Sequence, residues 1–186
     1  MTSKDQTMEF VSGHKGRTAE ITDLFAASFT ASEGADEGQT IAALVRALLT
    51  TVAEEDLFVF SVLEGGAVVA SILFTRMRYD QDDRVVFLLS PVAVAPDQQG
   101  KGTGQALLRH GLSQLKRDGV DIILTYGDVN FYAKVGFRQI TQHEAAAPMP
   151  LSYPHGWLGQ SLTGEAFAPL IGPASCAAPF RNPEYW

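Results

Sequence analysis

The sequence predicts a mixed α/β fold, and three consecutive segments carry this prediction. The apolar run from Val85 to Val94 has the length of a buried strand. Leucines at helical spacing follow between Leu107 and Leu115, and a second apolar run covers Val120 to Tyr126. A strand, a helix and a strand in this order form a parallel pair with a right-handed crossover. We expect the two strands to diverge beside the loop that precedes the helix.

The N-terminal part of the chain predicts one strand and two helices. Residues 7–12 suit a short edge strand, and Arg17 to Thr30 has the apolar spacing of a helix. Residues 31–38 are polar and acidic, which predicts a break in the chain. Asp36 and Gln39 have the spacing of a capping box, so we expect a second amphipathic helix to begin there.

An antiparallel meander is predicted next. Leu57–Leu63 and Ala67–Arg78 flank a Gly-Gly pair that suits a tight hairpin, and a charged connection over residues 79–84 leads to the strand that precedes the helix. Pro91 lies within that strand, and proline cannot donate a hydrogen bond to a sheet ladder. We therefore predict a bulge near residues 90–92. Bulges redirect backbone groups and are common beside active sites.

The loop before the leucine-rich helix reads Gln99-Gly100-Lys101-Gly102-Thr103-Gly104. Backbone N–H groups in the first turn of a helix lack intrahelical partners, and the helix dipole adds positive potential there. Glycines at alternate positions keep this surface clear of side chains, so an anion can contact the amides. Gln99 and Lys101 add side-chain donors. The loop predicts a diphosphate-binding site, and a plain glycine-rich turn is the alternative.

Two other phosphate-binding motifs do not fit the spacing. A P-loop requires Ser or Thr directly after its Gly-Lys pair, whereas Gly102 follows Lys101. A dinucleotide fingerprint requires a third glycine that is absent from this register. Its acidic residue should also end the next strand, whereas Asp121 begins one.

The last third of the chain is less regular. Residues 128–135 suit one or two helical turns, and Gly136-Phe137 leads into a strand that continues to Ile140. Prolines interrupt the segment after residue 142, where Met149–Tyr153 suits a strand. Residues 180–186 are rich in aromatic residues, which are unlikely to stay exposed to water, so we expect this end to dock on the body of the chain or on a second subunit.

Composition narrows the classes of function. The 186 residues suit one domain, and the net charge of −7 disfavours nucleic-acid binding. A single cysteine, Cys176, excludes an internal disulfide and has no recognisable catalytic partner. The N-terminus does not resemble a signal peptide and no apolar run could cross a membrane, so we expect a cytoplasmic protein. The four histidines lack metal-ligand spacing, and no metal is expected.

Two motifs carry a resemblance to a known family. The loop from Gln99 to Gly104 resembles the acetyl-CoA motif Q/R-x-x-G-x-G/A of the GNAT family of N-acetyltransferases, and Pro91–Pro96 resembles the fourth strand of that family. Residues 127–137, GDVNFYAKVGF, resemble its second signature, F-Y-x-x-x-G-F, and favour a bacterial branch. The order and separation of the motifs also agree.

The resemblance implies the acyl-CoA N-acyltransferase (GNAT) fold, an α/β fold in which a mixed, splayed β-sheet has helices on both faces. The expected organisation is an acetyltransferase domain over residues 1–145. Residues 146–186 would be a C-terminal extension packed on the same domain or on a dimer partner.

An activity and a set of binding residues are implied as well. The activity is transfer of an acetyl group from acetyl-CoA to a primary amine by direct attack in a ternary complex. The residues expected to hold acetyl-CoA are Val92, Ala93, Val94, Gln99, Gly100, Lys101, Gly102, Thr103, Gly104 and Asp128. Backbone groups of Val92 and Val94 would bind the pantetheine arm, and one of them could face the thioester carbonyl as an oxyanion donor.

Tyr132 matches the tyrosine that protonates the departing thiolate in the family, so the resemblance makes it the general acid. A packed aromatic on a small helix is the alternative. The family often has an asparagine where this chain has Thr125, and Asn130 or Asp128 could serve in its place. For the general base, Glu64, Asp128 and a water chain all stay open.

Other functions also remain open on the sequence alone. The same cleft could serve a non-catalytic acyl-CoA-binding module or sensor, or a nucleotide-phosphate binder of another class. The acceptor amine could belong to a small molecule or to a protein, and a homodimer is possible.

Overall fold

A computed structural model describes residues 7–186; residues 1–6, which contributed to the signal-peptide prediction, lie outside the described part. The helices are α1 (Thr18–Glu33), α2 (Ala35–Thr51), α3 (Thr103–Arg117) and α4 (Val129–Ala133). The strands are β1 (Glu9–Ser12), β2 (Leu57–Glu64), β3 (Ala67–Tyr79), β4 (Asp82–Val94), β5 (Ile122–Tyr126), β6 (Arg138–Gln139), β7 (Trp157–Ser161) and β8 (Ala174–Ser175). None of the helices in residues 7–186 combines the length and apolar character needed to cross a membrane.

All eight strands belong to one open, mixed sheet. Its order is β1-β2-β3-β4-β5-β7-β6, and β8 pairs with the far end of β3. The β4–β5 pair is parallel and is connected through α3, whereas the other pairs of described strands are antiparallel. The predicted strand–helix–strand unit is therefore confirmed.

Helices cover both faces of the sheet, as predicted. On one face α1 and α2 contribute Ile21, Phe25 and Leu48 to a core that includes Leu73 and Leu88 of the central strands. On the other face α3 packs its leucines on a second core. Its members include Leu107, Leu108, Leu115, Phe74, Leu89 and Ile123. Because alternate residues of a strand point to opposite faces, the near-continuous apolar runs of β3 and β4 supply both cores at once.

The predicted bulge in β4 is present. Ile72 of β3 pairs with Val92, but Phe74 pairs with Leu89, so Ser90 and Pro91 lie opposite the single residue Leu73. Two residues against one is the definition of a bulge, and the proline lies where a ladder hydrogen bond is already missing. The bulge marks the point beyond which β4 lines the candidate site.

The break between the first two helices is much shorter than predicted. The helix α1 continues to Glu33 and α2 starts at Ala35, so Gly34 alone makes the turn. Its φ of 101° is open to glycine and strained for other residues, which is why one residue suffices. Asp36 lies inside the first turn of α2 and is not its N-cap, so the predicted capping box is absent.

Two further expectations differ from the structure. The predicted connection over residues 79–84 is reduced to a turn at Asp80-Gln81, because β3 extends to Tyr79 and β4 starts at Asp82. The strand predicted over Met149–Tyr153 is absent, and the antiparallel partner of β5 is β7. Prolines on both sides of that segment interrupt its backbone hydrogen bonding, so the next apolar stretch occupies the sheet position.

The C-terminal segment packs on the body of its own chain. The strand β7 lies between β5 and β6, so the sheet extends across the predicted boundary at residues 145/146. Trp157 of β7 is fully buried and donates its indole N–H to the carbonyl oxygen of Ala145 at 2.8 Å. Trp186 is 4% exposed, and its ring centroid lies 5.9 Å from that of Trp157. Both ends of the segment are therefore anchored by indole rings.

We predict that Trp157→Ala lowers the free energy of unfolding by about 3–5 kcal/mol, because it removes a buried indole and leaves a cavity. Urea unfolding followed by far-UV circular dichroism measures this without relying on tryptophan fluorescence. Tyr153→Ala is the matched control, because this ring is 62% exposed and its loss should cost less than about 0.5 kcal/mol. A loss below about 1 kcal/mol for Trp157→Ala would contradict the anchoring role.

Candidate active site

The glycine loop joins the end of β4 to α3, and its glycines have different structural roles. Gly100 and Gly102 have φ angles of 75° and 80°, which side-chain-bearing residues rarely adopt. Gly104 is helical, and a Cβ there would lie 3.1 Å from Cγ2 of Val94. The first two glycines therefore shape the turn, and the third lets α3 approach β4 closely.

The N-terminus of α3 is open to a ligand. Gly102 occupies the N-cap position, and no side chain of residues 7–186 caps the helix. Within residues 7–186, the first-turn amides of Thr103, Gly104 and Gln105 donate to no carbonyl or side chain. These N–H groups and the helix dipole provide a local site for negative charge.

The gap beside this helix begins where β4 and β5 part. The two strands pair from Val86 to Leu89 and from Ile122 to Thr125. At the last step the Thr125 hydroxyl donates to the carbonyl oxygen of Leu89 at 2.8 Å. Beyond this point β4 continues to Val94, and among the described strands it pairs there with β3 alone.

Backbone groups of Val92 and Val94 face this gap. The amide of Ala95 donates to the carbonyl oxygen of Val69 on the β3 side at 2.8 Å. Because hydrogen-bonding groups alternate in direction along a strand, Val92 and Val94 direct theirs to the opposite edge. The side chain of Gln99 donates to the Val94 carbonyl from that edge at 3.1 Å, in agreement with this direction.

These groups line one cleft of about 980 Å³. Most of the predicted site residues meet there. They are Val92, Val94, Gln99, Gly100, Gly102, Thr103, Gly104, Asp128 and Tyr132.

Two of the predicted cofactor-binding residues do not line the cleft. The Ala93 side chain is 2% exposed and belongs to the core on the α1 and α2 face, because its position alternates with those of Val92 and Val94. Lys101 is exposed, and its Nζ donates to Oε1 of Gln98 at 3.2 Å. These two side chains therefore contribute nothing to the cleft wall.

Several residues of the cleft were not predicted from the sequence. The last two turns of α1 contribute Ser28, Phe29, Ser32 and Glu33, and Gln105 extends the α3 side. Helical periodicity placed Ser28 and Phe29 on a buried face, but it could not show which of the neighbouring segments this face contacts. Phe131 also lines the cleft.

Tyr132 is held by aromatic rings and by a glycine. Its ring makes edge contacts with Phe131 and Phe137, with centroids 5.0 and 5.6 Å away. A Cβ on Gly127 would lie 2.9 Å from Cε2 of Tyr132, so glycine is needed for the ring to reach this position. Burial raises the pKa of Tyr132 to about 12; the Thr125 hydroxyl opposes this rise and the Asp128 carboxylate adds to it. The phenol is therefore neutral throughout the physiological range.

The candidate bases occupy different places. Asp128 is exposed at the cleft and caps α4, because its Oδ1 accepts a hydrogen bond from the Asn130 amide at 2.9 Å. Glu64 lies at the β2–β3 hairpin and is absent from the cleft lining. Among the described residues, no three His, Cys, Asp or Glu side chains come together as a metal site.

Comparison with known families identifies a related domain. The model of the acetyltransferase (GNAT) domain matches residues 47–139, which are 93 of the 186 residues. Two proteins of Escherichia coli strain K12, both named as uncharacterized N-acetyltransferases, are similar in sequence. YjhQ is 33% identical over 119 residues, and YhbS is 26% identical over 85 residues. The matches cover 61% and 46% of this chain, and 65% and 51% of the two relatives.

Solved structures share the fold. The Escherichia coli YhbS structure in complex with CoA has a TM-score of 0.80 at 19% identity and covers 97% of this chain and 95% of that one. A GNAT acetyltransferase of Brucella melitensis in complex with acetyl-CoA has a TM-score of 0.67 at 24% identity, covering 94% and 99%.

The matched residues 47–139 include the parting strands, the glycine loop and Tyr132. This protein belongs to the GNAT acetyltransferase family and has its fold.

Proposed function

We propose that this protein transfers an acetyl group from acetyl-CoA to a primary amine while both are bound in the cleft. The main support for the proposal is that the uncapped N-terminus of α3 and the gap between β4 and β5 lie in the same cleft. A diphosphate needs amide donors, and a pantetheine arm needs unpaired backbone groups along a strand edge. The loop offers the first and Val92 and Val94 offer the second. The CoA and acetyl-CoA complexes of the two structural neighbours support this assignment.

The proposed reaction joins the amine nitrogen to the thioester carbonyl carbon, and the carbon–sulfur bond breaks as the thiolate leaves. Holding both reactants in one cleft converts a bimolecular encounter into an intramolecular step. The amide that faces the gap at Val92 or Val94 would stabilise the negative charge that develops on the carbonyl oxygen. The ammonium proton must leave before attack, through water or through Asp128.

Tyr132 is the proposed donor to the departing sulfur. With a pKa of about 12 its proton is always present. An ordinary thiol has a pKa of about 8.5, so complete proton transfer from this phenol to the thiolate is unfavourable by about 3.5 pKa units. We therefore assign Tyr132 a hydrogen bond that strengthens as charge develops on sulfur, with the final proton drawn from solvent.

Gln105→Glu tests the diphosphate site. The new carboxylate at the N-terminus of α3 should leave the protein as stable or slightly more stable, because it interacts favourably with the helix dipole. The same charge should weaken CoA binding by about tenfold or more through repulsion of the diphosphate. Urea unfolding and isothermal titration calorimetry measure the two effects.

Gln114→Glu on the same helix is the matched control, because it adds the same charge outside the cleft lining. It should leave CoA affinity within about twofold of the original value. Unchanged CoA binding by the Gln105→Glu protein would exclude the α3 N-terminus as the diphosphate site.

Tyr132→Phe tests catalysis against simple binding. Acetyl transfer in a panel of amines should fall by about 100-fold, whereas the Kd for acetyl-CoA should stay the same. If transfer is undetectable for both proteins and binding is intact, the non-catalytic acyl-CoA-binding module is the better assignment.

The pH dependence gives a separate test of Tyr132. Since burial raises the pKa of this phenol to about 12, its proton is lost only above the range in which the enzyme is assayed. We expect kcat to show no alkaline decline attributable to Tyr132 between about pH 7 and pH 10. If kcat declines in that range and the Tyr132→Phe protein does not show this decline, the raised pKa of Tyr132 is contradicted.

Asp128→Asn separates charge from helix capping, because asparagine is an equally good N-cap. We expect KM for a cationic amine to rise by about fivefold, with kcat little changed, because the carboxylate attracts the ammonium from the cleft mouth. The effect should shrink in high salt, which screens exposed charges. A fall of about 100-fold in kcat would instead identify Asp128 as the general base.

A further inference from the structure

A second cavity, of about 370 Å³, lies at the opposite end of β3 from the cleft. Its walls come from the end of α2, the outer part of β3 and the segment that follows β8. Ile72 pairs with Val92 at the cleft, and Arg76 is four residues further along β3, or about 13 Å at the rise of a strand. The cavity is therefore separate from the proposed acetyl-CoA site.

Three arginines converge on this cavity. Arg76 and Arg78 are alternate residues of β3 and share one face of the sheet, and Arg181 comes from the C-terminal segment. The single carboxylate in the cavity wall is that of Asp56, which accepts two hydrogen bonds from Arg78 at 2.8 and 3.1 Å. Arg76 and Arg181 form no ion pair within residues 7–186. The cavity thus has an excess of two positive charges, although the chain has a net charge of −7.

The guanidinium of Arg76 is the least satisfied of the three. Its Nε is shielded from solvent and has no hydrogen-bond partner in the part of the chain that the structure describes. The guanidinium carbon of Arg76 lies 5.7 Å from the ring centroid of Phe87, so the aromatic ring covers one flat face of the guanidinium. Burial lowers the pKa of Arg76, and the charge of Arg78 lowers it further, against the opposing effects of Asp56 and Asp121.

A purely structural role does not explain this arrangement. An apolar side chain at position 76 would pack on Phe87 equally well, without enclosing a cationic N–H that lacks an acceptor. Arginine is suited to bind oxyanions, because its planar fork presents parallel N–H groups at the spacing of two phosphate or carboxylate oxygens. Arg76 and Arg181, which form no ion pair within residues 7–186, line the cavity together with Arg78, and donors from three separate side chains suit the several oxygens of a phosphate.

We propose that the cavity formed by Arg76, Arg78 and Arg181 binds a phosphate-type oxyanion, as inorganic phosphate or as a small phosphate monoester. Its volume exceeds that of a phosphate ion, so a small organic group can accompany the phosphate. The proposal does not depend on acetyl transfer, and the anion would bind without displacing CoA.

Thermal unfolding in phosphate tests the proposal on the full-length protein. Inorganic phosphate is titrated in a phosphate-free buffer with ionic strength held constant by sodium chloride. At about ten times the Kd we expect Tm to rise by about 3–5 °C. Arg76→Gln should abolish this rise, and Arg181→Gln should weaken phosphate binding by about tenfold in calorimetry.

Two controls separate this cavity from other anion sites. Arg46→Gln removes an exposed arginine of α2 that lies outside the cavity wall and should retain the full rise in Tm. Gln105→Glu disfavours anions at the α3 N-terminus and should also retain it. Loss of the rise in the Gln105→Glu protein would assign phosphate to the glycine loop and overturn the proposal.

Further outcomes decide against the proposal. One is an absent Tm rise up to about 20 mM phosphate. Another is an equal rise in the Arg76→Gln protein. If Arg76→Gln lowers Tm by the same amount with and without phosphate, Arg76 is structural.

Parallel titrations use sulfate, acetate and glycerol phosphate. A stronger effect of glycerol phosphate identifies a monoester site, and an equal effect of acetate excludes a phosphate-type ligand.

Discussion

The candidate site depends on where the parallel pairing of β4 and β5 ends. Four residues of each strand pair, and the Thr125 hydroxyl bonds to the Leu89 carbonyl at the last step. Directly afterwards the bulge at Ser90 and Pro91 changes the course of β4. Since a proline has no N–H to donate, the ladder cannot continue through this position, and the edge of β4 from Val92 to Val94 forms no ladder hydrogen bonds with β5. An unpaired strand edge inside a fold is costly unless a ligand or water completes it.

Close approach, made possible by glycines, brings the other parts of the site to this edge. Gly104 lets α3 reach Val94, so the unpaired amides of the helix lie beside the unpaired amides of the strand. Gly127 lets the ring of Tyr132 lie close to the C-terminal end of β5. On the buried side of α3, a Cβ on Gly111 would lie 2.8 Å from Cδ1 of Ile72, so the helix packs closely on the sheet as well. The position of the helix dipole relative to the gap therefore follows from packing rather than from polar contacts.

The C-terminal segment has two structural roles. Its strand β7 completes the sheet beside β5, and the contact between Trp157 and Trp186 fixes its end near Tyr126 of the cleft. The same segment pairs with β3 through β8 and supplies Arg181 to the arginine cavity. The elements that wall the cavity thus also support the cleft, because β3 pairs with β4 and β7 of the C-terminal segment pairs with β5.

Features that depend on near neighbours in the chain could be predicted from the amino-acid sequence. The glycine loop, the Pro91 bulge, the Gly65-Gly66 hairpin and the leucine face of α3 each follow from backbone restrictions or helical spacing within a few residues. The motif around Tyr132 could be recognised in the sequence for the same reason. The sequence pattern gave the wrong helix start at Asp36, because its capping-box spacing did not exclude an earlier start. The helix α2 begins directly after Gly34, whose positive φ makes the turn.

Which distant segments meet depends on tertiary packing. No local pattern could place α1 at the cleft, direct Ala93 into the opposite core, or select Trp157–Ser161 over Met149–Tyr153 as the partner of β5. The three arginines of the second cavity are separated by up to 105 positions in the chain, between Arg76 and Arg181. Their proximity follows from strand pairing and from the burial of the C-terminal aromatic residues. Those interactions act between surfaces that exist only after the sheet has formed.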